Sequence, residues 1–120
     1  KMEAPSTIYR LLKADEWTTA QALGHYVGSD LDVRDGYIHL STATQCRGTA
    51  SLYFKGVTDL WVLAVDTASL GEGLKWDAVE AHGGDKYPHF YGGPLPLSAI
   101  KSASALPLGD DGSHQFPPME

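Results

Sequence analysis

Leu60-Trp61-Val62-Leu63-Ala64-Val65-Asp66 is the stretch on which the fold turns. Its apolar residues run without a polar break, as in a strand that is fully buried rather than half-solvated. Downstream, Leu74-Lys-Trp-Asp-Ala-Val79 alternates apolar and polar residues, residues 80–86 form a Gly-rich turn, and Tyr87-Pro-His-Phe-Tyr91 reads as a short aromatic strand. Pro88 cannot donate to a ladder, which restricts that segment to an edge or a bulge. A last strand is expected near Ser98–Ala105. Upstream, Thr7-Ile-Tyr-Arg-Leu-Leu12 is rich in β-formers. Asp15–Leu23 reads as a short helix with Trp17, Ala20 and Leu23 at helical spacing, and Gly24 stops it. Residues 26–36 read as a loop ending in Arg34-Asp35-Gly36, and Tyr37-Ile-His-Leu-Ser41 alternates as a strand. Thr42 and Gln45 have the spacing of a capping box, which opens a helix to about Phe54 with Ala43, Cys46, Ala50, Tyr53 and Phe54 on its apolar stripe. Two helices followed mostly by strands make an α+β domain, with Trp61 and Trp76 expected in its core.

The chain has 120 residues, 42% of them apolar and 20% charged, which suits one folded domain. Nine Lys and Arg face fifteen Asp and Glu, for a net charge of −6. Asp110, Asp111 and Glu120 lie beyond Lys101, the last base, so residues 1–101 carry only −3. A mildly acidic body argues against DNA or an anionic membrane as partner, because both require a basic field. With one cysteine, Cys46, no intrachain disulfide forms, and the chain reads as cytoplasmic. Residues 1–6 read as a disordered leader whose Lys1 is an added residue. Residues 7–108 read as the single α+β domain, and residues 109–120, with turn formers, two prolines and three acids, as a flexible tail.

Two segments place titratable groups inside otherwise apolar strands. In the first, alternation puts Tyr37, His39 and Ser41 on one face and Ile38 with Leu40 on the other. Thr42 follows at a helix N-terminus, where free N–H groups attract anions. For Ser41 and Thr42 a plain capping role is the stronger reading; for His39 a site and a solvated sheet face weigh about equally. In the second, Tyr87, His89 and Tyr91 share a face and Gly92-Gly93 follow. Rings flanking an imidazole offer a stacking slot for a planar ligand, and the glycines permit close backbone approach, although aromatics near proline often only cover a sheet edge. Arg10 is the charge inside the first strand, either a snorkelling side chain or a fork for phosphate. Among His25, His39, His82, His89 and Cys46 no zinc-motif spacing occurs, so no metal is expected. Asp15 with Glu16, and Asp30 with Asp32, read as solvated acids.

The order Ile8-Tyr-Arg-Leu-Leu12, Glu16-Trp17, Gly36-Tyr-Ile-His-Leu-Ser-Thr42, Leu60-Trp-Val-Leu63, Leu74-Lys-Trp76 and Tyr87-Pro-His-Phe-Tyr-Gly92 with Pro94-Leu-Pro-Leu97 resembles the domain of unknown function 952 family. The resemblance implies a small, divergent ADP-ribosyltransferase-like fold, in which two packed sheets form a cleft for NAD or a related nucleotide. It would place Arg10 on the first cleft strand, His39, Ser41 and Thr42 on the second, and His89 and Tyr91 on the third. Active transferases carry a Glu on that third strand, and no Glu lies between Lys86 and Glu120. Protein mono-ADP-ribosylation then lacks the carboxylate that steadies its oxocarbenium-like transition state.

The expected function is a nucleotide-binding transferase or hydrolase with His39 and His89 as catalytic residues in one cleft. Arg10, Tyr37, Ser41, Thr42, Tyr87 and Tyr91 would be its ligand-binding residues, and NAD or an ADP-ribose-like molecule its ligand. The alternative is a non-catalytic module that binds a nucleotide, a metabolite or a protein partner.

Overall fold

The computed structural model describes residues 4–119. Three α-helices occur among them, α1 (Ala14–Leu23), α2 (Asp30–Asp35) and α3 (Ala43–Tyr53). The strands are β1 (Thr7–Lys13), β2 (His25–Tyr26), β3 (Ile38–His39), β4 (Leu60–Asp66), β5 (Leu74–Ala78), β6 (Lys86–Phe90), β7 (Leu95–Pro96) and β8 (Ile100–Ala105). They form a three-stranded sheet in the order β1-β4-β8, a second in the order β3-β6-β5, and a β2-β7 pair. Every pairing is antiparallel, so the fold is a mixed α+β domain.

The apolar run of β4 is explained by its place. It is the central strand of its sheet, and its alternate residues feed two cores. Leu63 and Val65 join Ile8 and Leu12 of β1 in one cluster, which Ile38, Leu40, Phe90 and Ala20 complete from the second sheet and α1. Leu60 and Val62 join Tyr9 and Leu11 in the other, closed by Cys46 and Ala50 of α3. Trp61 and Trp76 are partly buried and pack against the first cluster from its margin rather than filling it. Leu23 and Tyr53 also depart from their expected stripes, being 53% and 58% exposed.

Three sequence readings are corrected. The stretch 26–36, read as a loop, contains α2, whose Ser29 cap and Asp32 exchange hydrogen bonds with each other's backbone N–H groups. The strand from Tyr37 keeps its β6 partner only through Ile38 and His39, because Ser41 then pairs with Tyr9 of the other sheet (Ser41 N–H to Tyr9 O 2.8 Å, Tyr9 N–H to Ser41 O 2.7 Å). Pro88 is not on an edge, since β6 is the central strand. Its carbonyl accepts from the Leu40 N–H at 3.0 Å, but proline offers no N–H in return, and β3 ends its pairing there. One sheet thus hands the chain to the other.

Residues 109–119, expected to be a tail, lie against the domain. The backbone closes on itself through Gly109 N–H to Ser113 O and Gln115 N–H to Pro107 O, both 2.8 Å. His114 Nε2 meets the Val57 carbonyl at 2.7 Å, and Phe116 and Met119 pack on the second cluster. Composition hid this because two apolar residues suffice to dock so short a strap. Residues 1–3 of the expected leader and Glu120 of the expected tail lie outside the described residues. At Ser6, the carbonyl accepts from Thr67 N–H at 3.1 Å, immediately before β1 begins. No described helix is long and apolar enough to cross a membrane.

Candidate functional site

The face of the β3-β6-β5 sheet turned away from Ile38, Leu40 and Phe90 carries the histidines. His39 and His89 are direct cross-strand partners, with ring centroids 5.4 Å apart in an edge-on arrangement. Tyr37 brings its ring over both: it stacks on His89 at 4.2 Å, and lies 4.6 Å from His39 and 4.9 Å from Tyr91. Gly36 at φ 84° makes the left-handed turn that ends α2 and delivers Tyr37 to this position.

Each imidazole is held by a carboxylate. His89 Nδ1 lies 2.7 Å from Asp77 Oδ2 on β5, and the Tyr91 hydroxyl donates to the same oxygen at 2.5 Å. His89 Nε2 makes no hydrogen bond with a described residue. Burial lowers the His89 pKa below the usual histidine value, outweighing the opposite pull of Asp77. The Tyr91 phenol is pushed up to about 12, chiefly because its proton is shared with Asp77. His39 stands between two acids, with Nδ1 2.6 Å from Asp32 Oδ1 and Nε2 2.9 Å from Asp35 Oδ2. A neutral ring donates to one of these partners; the imidazolium donates to both.

Behind His39 lies a buried polar network. Asp32 is 3% exposed and Arg10 7%, and their fork–fork pair has Nη1 to Oδ1 at 2.9 Å and Nη2 to Oδ2 at 2.8 Å. Asp32 also accepts from the His39 N–H at 2.9 Å and the Ser29 N–H at 2.6 Å. Burial alone raises a carboxyl pKa, yet the His39 and Arg10 hydrogen bonds overcome it and hold Asp32 well below the carboxylate range. Arg10 further donates from Nη1 to the His39 carbonyl at 3.0 Å and from Nη2 to the Tyr26 hydroxyl at 2.7 Å. Its Nε is buried without a partner. The Tyr26 hydroxyl in turn donates to Glu16 Oε2 at 3.1 Å.

Four of the eight expected site residues therefore meet: Tyr37, His39, His89 and Tyr91. Arg10 sits under them but is no phosphate fork, because Asp32 occupies it; even-numbered residues of β1 face the first core, which is why the charge is internal. Ser41 leaves the histidine face with the chain's turn towards Tyr9, and its hydroxyl lies 3.4 Å from Thr49 Oγ1. Thr42 caps α3, accepting from Gln45 N–H at 3.2 Å while Gln45 Oε1 accepts from Thr42 N–H at 3.1 Å. Tyr87 joins a separate group with His82 at 5.0 Å, and His82 Nε2 meets the Tyr53 hydroxyl at 3.1 Å. The glycine after Tyr91 serves the fold: a Cβ on Gly92 would overlap the Phe90 ring. The expected concavity between the two histidines is filled by Tyr37. Depressions of about 150 and 460 Å³ lie elsewhere, one between α1 and β2, the other between the first sheet and residues 117–119.

Sequence reading missed Asp32, Asp35, Asp77 and Tyr26. Asp32 had a signal, the Ser29-x-x-Asp32 box with Gly36 as stop, but nothing local announces that both of its oxygens also face an arginine from β1. Among the described residues no group of three or more His, Cys, Asp or Glu is placed to hold a metal ion.

The family model of a protein of unknown function, DUF952, matches residues 11–103, from β1 into β8. The chain belongs to the DUF952 family. The DUF952 match takes in both histidines and all three aspartates that hold them. Protein CC0527 from Caulobacter crescentus is similar in structure: its crystal structure is 42% identical with a TM-score of 0.84, over 91% of this chain and 93% of that one. Its solution NMR structure is 41% identical with a TM-score of 0.81, over 92% and 93%. No curated protein matches this DUF952 chain.

Proposed function

We propose that the Tyr37, His39, His89 and Tyr91 face binds a nucleotide-like small molecule, and that His89 moves a proton when the ligand is turned over at a ribose or phosphate. The observation that carries this reading is the state of His89. Asp77 fixes Nδ1, Nε2 is unengaged, and burial favours the neutral ring, which is what a general base requires. His39 would act beside it, with Asp32 and Asp35 setting its orientation. Arg10 is a positioning residue in this scheme, because it acts through Asp32. NAD or an ADP-ribose-like molecule is the proposed ligand, and the domain is read as a small, divergent ADP-ribosyltransferase-like fold. Two antiparallel three-stranded sheets support that reading, as does the resemblance of residues 36–42 and 87–92. Asp77 would then supply, from the neighbouring strand, the negative charge that active transferases take from glutamate.

One observation favours a second reading. Tyr37 already stacks on His89, so the rings satisfy one another as they stand. A non-catalytic binding module, or a face that meets a protein partner, would need no more than this. Thermal shift with NAD, ADP-ribose and AMP separates the readings. A ligand at a hundred times its dissociation constant stabilises the fold by about 2.7 kcal/mol. Stabilisation that is lost in His89→Asn, together with conversion of the ligand, supports the enzyme. Stabilisation without conversion supports the binding module, and no stabilisation by any of the three ends the nucleotide reading.

A further inference from the structure

The depression between α1 and β2 lies outside the histidine face and has a chemistry of its own. Its volume is about 150 Å³, and its wall is formed by Asp15, Glu16, Leu23, Tyr26 and Val27 with the turn of chain around them. An apolar cavity of about this volume holds a benzene-sized molecule of about six heavy atoms. No Lys or Arg lines it. The Asp15 carboxylate makes no hydrogen bond with a described residue. Glu16 accepts from Lys13 N–H and Tyr26 hydroxyl, both at 3.1 Å, and a carboxylate has about four acceptor positions. The Tyr26 hydroxyl is committed, receiving from Arg10 and donating to Glu16. At the mouth, Leu23 and Val27 leave 53% and 48% of their surfaces exposed, while Ala20 closes the floor at 2%. The surrounding stretch, residues 14–35, holds five of the chain's acids and one arginine.

A depression with spare acceptors at one end, Ala20, Leu23 and Val27 along its wall, Thr19 and His25 beside them and no Lys or Arg suits a ligand with donors only on an apolar stem. An ammonium has three donors and no acceptor. We propose that this cavity binds a primary alkylammonium group. The group is presented either by a free amine or by a lysine side chain of another protein. Its ammonium takes the open positions of Asp15 and Glu16, and its methylenes lie along Ala20, Leu23 and Val27. Glu16 is also the outer end of the chain of hydrogen bonds that runs through Tyr26, Arg10 and Asp32 to His39.

Two-dimensional amide NMR of the full chain tests this with three probes: n-pentylammonium, the methylamide of Nα-acetyl-lysine, and n-pentanol as the uncharged counterpart. Saturable shifts at Thr19, His25 and Gly28 are expected from the ammonium probes and not from the alcohol. Affinity should fall at least tenfold in Asp15→Asn with Glu16→Gln, where glutamine keeps an oxygen for the Lys13 N–H. Asp15→Asn alone, at a side chain with no hydrogen bond to lose, should weaken binding while leaving the amide spectrum folded. Tighter binding of the lysine derivative assigns the group to a protein partner, and tighter binding of the alkylamine to a free amine; both uphold the site. The proposal is overturned by pentanol binding as well as pentylammonium, by undiminished affinity in Asp15→Asn, or by no saturable shift from either cation.

Discussion

Asp32 joins three segments that are distant in sequence: Arg10 of β1, the Ser29 cap of α2 and His39 of β3. Removing it strands a guanidinium that is nine-tenths buried. Asp32→Ala should therefore cost about 3–5 kcal/mol, the usual penalty for breaking a buried ion pair from one side. Urea denaturation measures it, and a loss under about 1 kcal/mol would mean that water reaches Arg10. Arg10→Met combined with Asp32→Leu should cost less than the sum of the single changes, because neither partner is left charged. The pH dependence has two windows. His89 is lowered in the fold from the 6.5 of the free residue, so the unfolded chain binds the extra proton first, and stability falls as pH drops below 6.5 towards the folded value. Asp32 is lowered from 3.8, so its contribution is complete above 3.8 and disappears as pH falls further. Denaturation midpoints followed down in pH should show both slopes, with the upper one absent in His89→Asn. A wild-type midpoint that stays flat between about pH 7 and 5 would contradict the buried, neutral state of His89. Little of this was legible in the sequence. Alternation put Tyr37 beside His39 and His89 beside Tyr91, as the structure has them, because period two is a local rule; it carries nothing of the pairing of β3 with β6 that joins the two faces. The acids that hold the two histidines come from elements two turns of chain or a whole strand away, and the Ser29-x-x-Asp32 box marks Asp32 only as a capping residue, not as the partner of a buried arginine and a histidine.

The α3 cap shows the opposite case, an element whose signal is entirely local. Thr42 and Gln45 satisfy each other's backbone N–H groups, as the spacing alone indicates. Thr42→Ala should cost about 1 kcal/mol, within the range for N-cap removal, and Thr42→Ser should restore most of it. Thermal or urea melts of the two variants check this, and equal stability of alanine and serine would mean that the hydroxyl is idle. β4 was legible for a similar reason: a strand with both faces covered leaves an unbroken apolar run, here the six residues Leu60–Val65 before Asp66. β3 was overread because a strand changes partner where geometry demands it. Two residues pair with β6, and the alternating pattern continues through Leu40 and Ser41 although the pairing does not. Pro88 misled in the complementary way. A central strand tolerates proline when the neighbour opposite the missing N–H is about to leave, and that departure is a property of β3.

At the scale of the whole molecule the β1-β4-β8 sheet is the middle layer, with the second sheet and α1 on one side and α3 with the C-terminal strap on the other. Layering of this kind follows from a doubly buried central strand, and the α+β reading needed little else. The strap did not announce itself, because its contacts are few and depend on where the domain's surface lies. Deleting residues 109–120 removes Phe116 and Met119 from the second cluster and the His114 bond to Val57. A loss of about 2–4 kcal/mol is expected, from two partly buried apolar side chains and one hydrogen bond. Calorimetry of the shortened chain measures it, and an unchanged melting temperature would make the strap an ornament. The same layer holds the chain's single thiol. Cys46 has no exposed surface, and burial raises its pKa to about 12, so neither access nor thiolate is available while α3 stays in place. Modification by a thiol reagent then waits for opening of that layer. The protein carries an internal clock, in which labelling speed under native conditions reads out how often, and at what free energy, α3 lifts from its sheet.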